Sequence, residues 1–207
     1  MLLSQITRIF IMFRLYKGLP GYFKRRKLFQ LMLMLVLIGG MILFYVTGYV
    51  QTGSPKNLFT VMAVLLALPL SKVAVILIAV FPYKGTDPQE FSEYRERLQF
   101  GQLMAELAIT NPNLPTLWAV YAFVHAREVI LYTKDRKGQK TDTATLKKQE
   151  DFISGILAAG GYQVNVKAFS AEDKFKNRFN DLTKKELNDE EELDTAVIAR
   201  MLSKLAI

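Results

Sequence analysis

The sequence predicts a membrane α-helical hairpin followed by a small α+β soluble domain. Three observations carry this. Two apolar runs, Leu28–Val50 and Leu58–Phe81, are separated only by the polar link Gln51–Asn57. The first 81 residues hold nine Lys and Arg and no acid, and all 19 acids follow. Beyond Pro82, apolar spacing alternates between helical and strand periods.

The charge split changes the meaning of the net +8. Residues 82–207 sum to about −1, so the positive excess belongs to the N-terminal part. That is a membrane-topology signal rather than a nucleic-acid footprint, and no nucleic-acid partner is expected. The absence of Cys excludes disulfide, thiol-nucleophile and Cys-metal chemistry, and the single His125 excludes a multi-histidine metal site.

Residues 1–27 read as a basic amphipathic arm. On a helical wheel Ile6, Ile9, Phe13 and Tyr16 share one side, with Ser4, Thr7, Arg8 and Arg14 opposite, as in an interfacial helix. Gly18-Leu19-Pro20-Gly21 breaks it. Lys24-Arg25-Arg26-Lys27 then precedes the first apolar run and suits contact with anionic lipid headgroups.

Residues 28–82 form the hairpin. Leu31–Val50 is free of charge, and twenty residues at 1.5 Å each cross a core about 30 Å thick. Gly39, Gly40 and Gly48 permit close approach of a second helix. The link is too short for anything but antiparallel neighbours, so both termini lie on one side. Seven cations before the first run, against Lys56 alone in the link, put that side in the cytoplasm. Pro69, Ser71 and Lys72 form a candidate intramembrane polar site. A lysine near the centre of a span costs about 2.5–3.5 kcal/mol, and Pro69 frees the carbonyl of Leu65, which Ser71 can satisfy. A lysine snorkelling along a kinked helix is the plainer account.

Residues 83–207 read as a cytoplasmic α+β domain of order α-β-β-β-α-β-α-α. Asp87-Pro88 starts a helix to Leu98. Strands follow at Phe100–Thr110, Thr116–Ala126 and Glu128–Thr133, the second with apolar residues at both parities, as in a strand covered on both faces. Lys134–Thr143 is a charged loop. A helix over Ala144–Ala159 is capped by Gly160-Gly161, and Tyr162–Phe169 alternates as a fourth strand. Ser170-Ala-Glu-Asp173 has capping-box form before a helix carrying Phe175, Phe179 and Leu182. The last helix, Asp189–Ile207, runs from acids to Arg200 and Lys204 in accord with its dipole, with Leu193, Val197, Met201 and Leu205 as its apolar stripe.

The order α-β-β-β-α-β resembles the restriction-endonuclease-like core. Those nucleases place an acid on the second strand and an acid-x-Lys on the third. Here Thr116–Ala126 has no acid and Glu128-Val129-Ile130 no lysine, which argues against metal-dependent cleavage. His125, at a strand end beside Arg127 and Glu128, reads as structural, and Glu106 as a group within a strand able to pair a cation. No phosphate-binding loop, dinucleotide fingerprint or nucleophile elbow is present. No catalytic group, cofactor or metal is expected.

The two-span hairpin, the Ala67-Leu68-Pro69-Leu70-Ser71-Lys72 stretch, the Phe81-Pro82-Tyr83-Lys84 exit and the small domain together resemble uncharacterised two-span membrane proteins of Gram-positive Firmicutes. The resemblance implies a bacterial cell-membrane location and this architecture, and no activity. The expected function is a membrane-anchored cytoplasmic interaction module or accessory subunit of a membrane complex. Its partners would be the bilayer, anionic headgroups and a protein. The alternative is an enzyme acting on lipid-linked or envelope substrates at the cytoplasmic membrane face.

Overall fold

The computed structural model describes residues 17–134 and 142–206. The interfacial helix expected before Lys17, and most of the charged loop after Lys134, lie outside the described residues. The chain divides into two compact units: Phe23–Lys84, and a second that joins residues 17–22 to residues 85–206.

In the first unit, α1 covers Tyr22–Thr52. Its 31 residues extend about 46 Å. A polar link follows, held by Asn57. The Asn57 side chain accepts the N–H of Thr60 at 2.9 Å as an N-cap, and donates to the carbonyl of Ser54 at 2.7 Å and to Thr52 Oγ1 at 3.1 Å. The second apolar run is two helices, α2 (Leu58–Leu65) and α3 (Ala67–Val80), parted at Leu66. The break lies three residues before Pro69, where a ring without an N–H cannot return a bond to Leu65. Gly48 is where the helices need a missing side chain. A Cβ there would lie 2.7 Å from Phe59 Cβ and closer still to Asn57 Oδ1, whereas Gly39 faces open space.

In the second unit, α4 (Pro88–Glu96) starts at Asp87, whose carboxylate accepts the N–H of Gln89. Four strands follow in a mixed sheet: β1 (Gln102–Asn111), β2 (Leu114–His125), β3 (Glu128–Thr133) and β4 (Asn165–Phe169). Their spatial order is sequential. The first two pairings are antiparallel, and β3–β4 is parallel through the crossover helix α5 (Thr143–Ala159). Then come α6 (Glu172–Leu182) and α7 (Asp189–Leu205). The result is an α+β fold with an apolar helical N-terminal part.

The sheet is buried on both faces. One face packs Leu107, Ile109, Leu117, Val124 and Leu131 under Leu146, Ile153 and Leu157 of α5 and Ile198 and Leu202 of α7. The other is aromatic. Tyr121, Phe123 and Tyr132 meet Phe91 and Tyr94 of α4 and Phe175 and Phe179 of α6. The closest rings are Phe123 and Phe179, 4.8 Å apart and edge-to-face.

The two strands at the centre of this packing change faces together. Ala105 faces the aromatic side, while Leu107 and Ile109 face the other, because Glu106 between them has φ 58°. In β2, Ala119 opposes Thr133 but Tyr121 opposes Tyr132, so Val120 is an extra residue. Glu106 lies across from Val120 in a β1–β2 register otherwise continuous from Gln102 to Ile109. Both strands thus shift parity at the same level. This adds a second cause to the mixed parity of Thr116–Ala126.

Glu106 is 1 % exposed. Its Oε1 accepts the backbone N–H of Gly21 at 2.6 Å and that of Thr86 at 2.7 Å. Both of these bonds go to backbone amides. These two amides flank the hairpin in the chain. Next to them the carbonyl of Gly18 accepts the N–H of Ala105 at 2.8 Å, Ala206 bridges Ile109, and Lys17 Nζ donates to the carbonyl of Ala206 at 2.6 Å. The outer edge of β1 is therefore met by residues from both ends of the described chain.

Two helix details differ from expectation. No side chain caps α6, whose N-cap is Ala171. The capping box occurs instead at α7, where Asn188 Oδ1 accepts the N–H of Glu191 and Glu191 returns a bond to the N–H of Asn188. The buried face of α7 is Thr195, Ile198, Ala199 and Leu202, while Leu193 is 66 % exposed. Small Thr195 and Ala199 let the helix lie close to the sheet, so the larger residues of the expected stripe sit at its flank.

Replacing Glu106 by Ala strands two amide donors and should cost about 2–4 kcal/mol. Glu106→Gln, which keeps an acceptor, should cost less than half of that. Urea unfolding of the full chain in detergent, followed by the sole tryptophan, Trp118, measures both. In the hairpin, Gly48→Val should destabilise by about 1–3 kcal/mol through overpacking. Gly39→Val should leave the melting temperature unchanged.

Candidate functional site

Lys24, Arg25, Arg26 and Lys27 fall in the first two turns of α1, not ahead of it. At 100° per residue, four consecutive positions encircle the helix, so these cations form a belt rather than a face. They also sit at the positive end of the helix dipole with no acid in the first turn, an arrangement that a nearby anion relieves. Lys24 and Arg25 are exposed, and Arg26 and Lys27 are half-buried. Lys27 has a separate role. Its ammonium donates to the carbonyl of Tyr83 and lies 5.5 Å from the centre of the Phe81 ring. One turn earlier Phe23 stacks on Tyr83 at 5.2 Å. The start of α1 and the exit from α3 are thereby closed on each other.

Pro69, Ser71 and Lys72 are all on the outer surface of the hairpin. Ser71 Oγ donates to the carbonyl of Leu68 at 2.7 Å, rather than to that of Leu65 as the sequence suggested. Leu68, Lys72, Val75 and Ala79 are exposed at i, i+4, i+7 and i+11, so the lysine lies within an outward stripe. No ion pair among the described residues includes it.

The polar end of the domain ties elements together. Ala126 opens the β2–β3 turn with φ 48°, a backbone that usually takes glycine. Its N–H donates to Thr195 Oγ1 at 2.9 Å, and His125 Nε2 lies 2.9 Å from the carbonyl of Lys185. Glu128 accepts a bidentate pair from Arg178 at 2.8 and 2.6 Å, linking β3 to α6. His125 and Glu128 are thus anchors. Beside them a depression of about 410 Å³ lies over Gly160 and Gly161, rimmed by Arg127, Glu190 and Asp194. A second, of about 420 Å³, carries Lys17 and Arg200 and no acid, with Leu19, Leu103 and Met104 as apolar lining. Among the described residues no three His, Asp or Glu gather as a metal site.

The aromatic face contains three tyrosines held neutral. Burial, reinforced by Glu90 and Glu172, pushes the Tyr94, Tyr121 and Tyr132 hydroxyls above their ordinary value of 10.0. The hydroxyls of Tyr94 and Tyr121 are buried without a hydrogen-bond partner of good geometry, and the Glu90 carboxylate near Tyr121 favours its protonated form.

No protein-family model matches the chain, and no curated protein or solved structure does either.

The unpartnered hydroxyls give two expectations. Tyr121→Phe should leave stability unchanged or raise it by about 1 kcal/mol in urea unfolding. These tyrosines keep their protons when folded and lose them at about pH 10 when unfolded. The stability they contribute is therefore complete below pH 10 and falls as pH rises beyond it. Unfolding free energies measured between pH 8 and 11 should decline above 10, and less steeply in the Tyr94→Phe, Tyr121→Phe double variant.

Proposed function

We propose that this protein is an integral membrane protein with two spans and both termini in the cytoplasm. Its α+β domain serves as an interaction module or accessory subunit of a membrane complex. One observation carries the reading. The helix Tyr22–Thr52 and the helical run Leu58–Val80 are long and apolar enough to span a bilayer, and few of their residues are buried. Leu35, Val36, Leu43, Val50, Leu58 and Ile78 are each 58 % exposed or more. Continuous apolar surface of this kind is a poor fit to water and a good one to lipid. A core helix of a soluble domain would be buried, and a cleaved signal sequence does not account for the second span.

The belt of Lys24, Arg25 and Arg26 supports contact with anionic headgroups, as does the acid-free depression holding Lys17 and Arg200. The exposure of Pro69, Ser71 and Lys72 supports recognition within the membrane. The domain supports docking by another protein through its polar end rather than through its sheet, because both faces of the sheet are occupied.

Topology is directly testable in this Cys-free chain. Ser54→Cys in the link and Lys148→Cys on the exposed side of α5 should label from opposite sides of intact cells. Lys148 is a better position than Ser154, which is half-buried and donates to the carbonyl of Val164. The protein should also stay in the membrane pellet after alkaline carbonate. Outside labelling of Lys148→Cys would reverse the orientation, and release by carbonate would end the spanning reading.

A further inference from the structure

We infer that Lys72 marks a docking stripe for a different membrane protein whose transmembrane helix carries a carboxylate. This rests on the two-span reading above. It follows from where the charge sits and from what this chain lacks.

Lys72 is eight residues before the end of α3 and fourteen after the start of α2. At 1.5 Å per residue its Cα is about 12 Å from the nearer end. Its stem reaches roughly 6 Å. Side chains on a helix also lean toward the helix N-terminus, which here is the link and the farther surface. Snorkelling to the nearer surface therefore runs against the Cα–Cβ direction and falls short by about half the distance. The ammonium stays within the apolar layer and needs a counter-charge there.

The hairpin cannot supply one, because residues 1–81 contain no Asp or Glu. For the same reason a second copy cannot: its spans would bring a second lysine, not an acid. The lysine faces outward, in line with Leu68, Val75 and Ala79, so a helix laid along α3 meets it directly. The small Ala79 permits close approach at one end of the stripe. The complementary surface is an apolar helix with one Asp or Glu near its middle.

The full chain, labelled on Ser54→Cys and reconstituted in phosphatidylcholine vesicles, is tested by energy transfer to synthetic polyleucine transmembrane peptides with a central Asp, Asn or Leu. The Asp peptide should associate at least about tenfold more tightly than the other two. Lys72→Leu should remove that difference without altering retention in the vesicles, and Lys72→Glu should reverse it toward a central-Lys peptide. Equal association of all peptides, or an Asp preference that persists in Lys72→Leu, would overturn the inference. So would loss of the preference on adding phosphatidylglycerol, which would assign the counter-charge to a lipid headgroup. Failure of the protein to stay in the vesicles would instead overturn the two-span reading on which the inference stands.

Discussion

A single buried oxygen, Glu106 Oε1, takes the amides of Gly21 and Thr86, and the plan of the chain depends on that meeting. In sequence the hairpin lies between those two residues. Residues 17–22 belong to the same compact unit as residues 85–206, so parts of that unit flank the hairpin on both sides in sequence. Closing a long loop is cheap once its ends are fixed together, since the entropic cost grows only with the logarithm of length. Glu106 fixes them from the domain. Lys27 and Phe23, against Tyr83, close the base of the hairpin by separate contacts.

Glu106 also shapes the sheet. Its positive φ, opposite the extra residue Val120, turns both strands over together. The β1–β2 register runs on through this level while the β2–β3 register slips by one residue at Val120. Without this coordinated shift, Leu107 and Ile109 would point at the aromatic face, and α7 would lose part of the surface it packs on.

The parts of the fold legible in the sequence are those set by local pattern. The apolar runs, the Asp87-Pro88 start, β3 and the glycine cap after α5 depend on residues near one another. The cap closes as anticipated, with Gly161 at φ 94° and the N–H of Tyr162 bonded to the carbonyl of Leu157. Illegible features are set by partners far along the chain. Glu106 reads as an ordinary polar residue in a strand because the amides that donate to it lie 85 and 20 residues away. The stripe of α7 is misread for another reason. Hydropathy ranks Leu193 above Thr195, but proximity to the sheet favours the smaller residue, whose hydroxyl also takes the N–H of Ala126. The Asn188–Glu191 capping box was visible in principle. The acids at Asp189–Glu192 obscure it, because each of them also suits the helix dipole. Lys72 stood out on composition alone, since a charge within an apolar run needs no tertiary knowledge to notice. Which way it faces was beyond the sequence.

The occupied outer edge of β1 has a consequence for crowding. On the proposed location, an anchored protein diffuses in a plane, where copies share orientation and meet far more often than they would in solution. An open strand edge held at a fixed height would be presented to every neighbour in pairing alignment, a geometry suited to unchecked growth of sheet across copies. Gly18 and Ala206 take up positions on that edge, and on the opposite one Glu150 accepts the N–H of Ala168. Residues near both ends of the described chain act as stoppers there, which on the proposed location keeps crowding from becoming polymerisation.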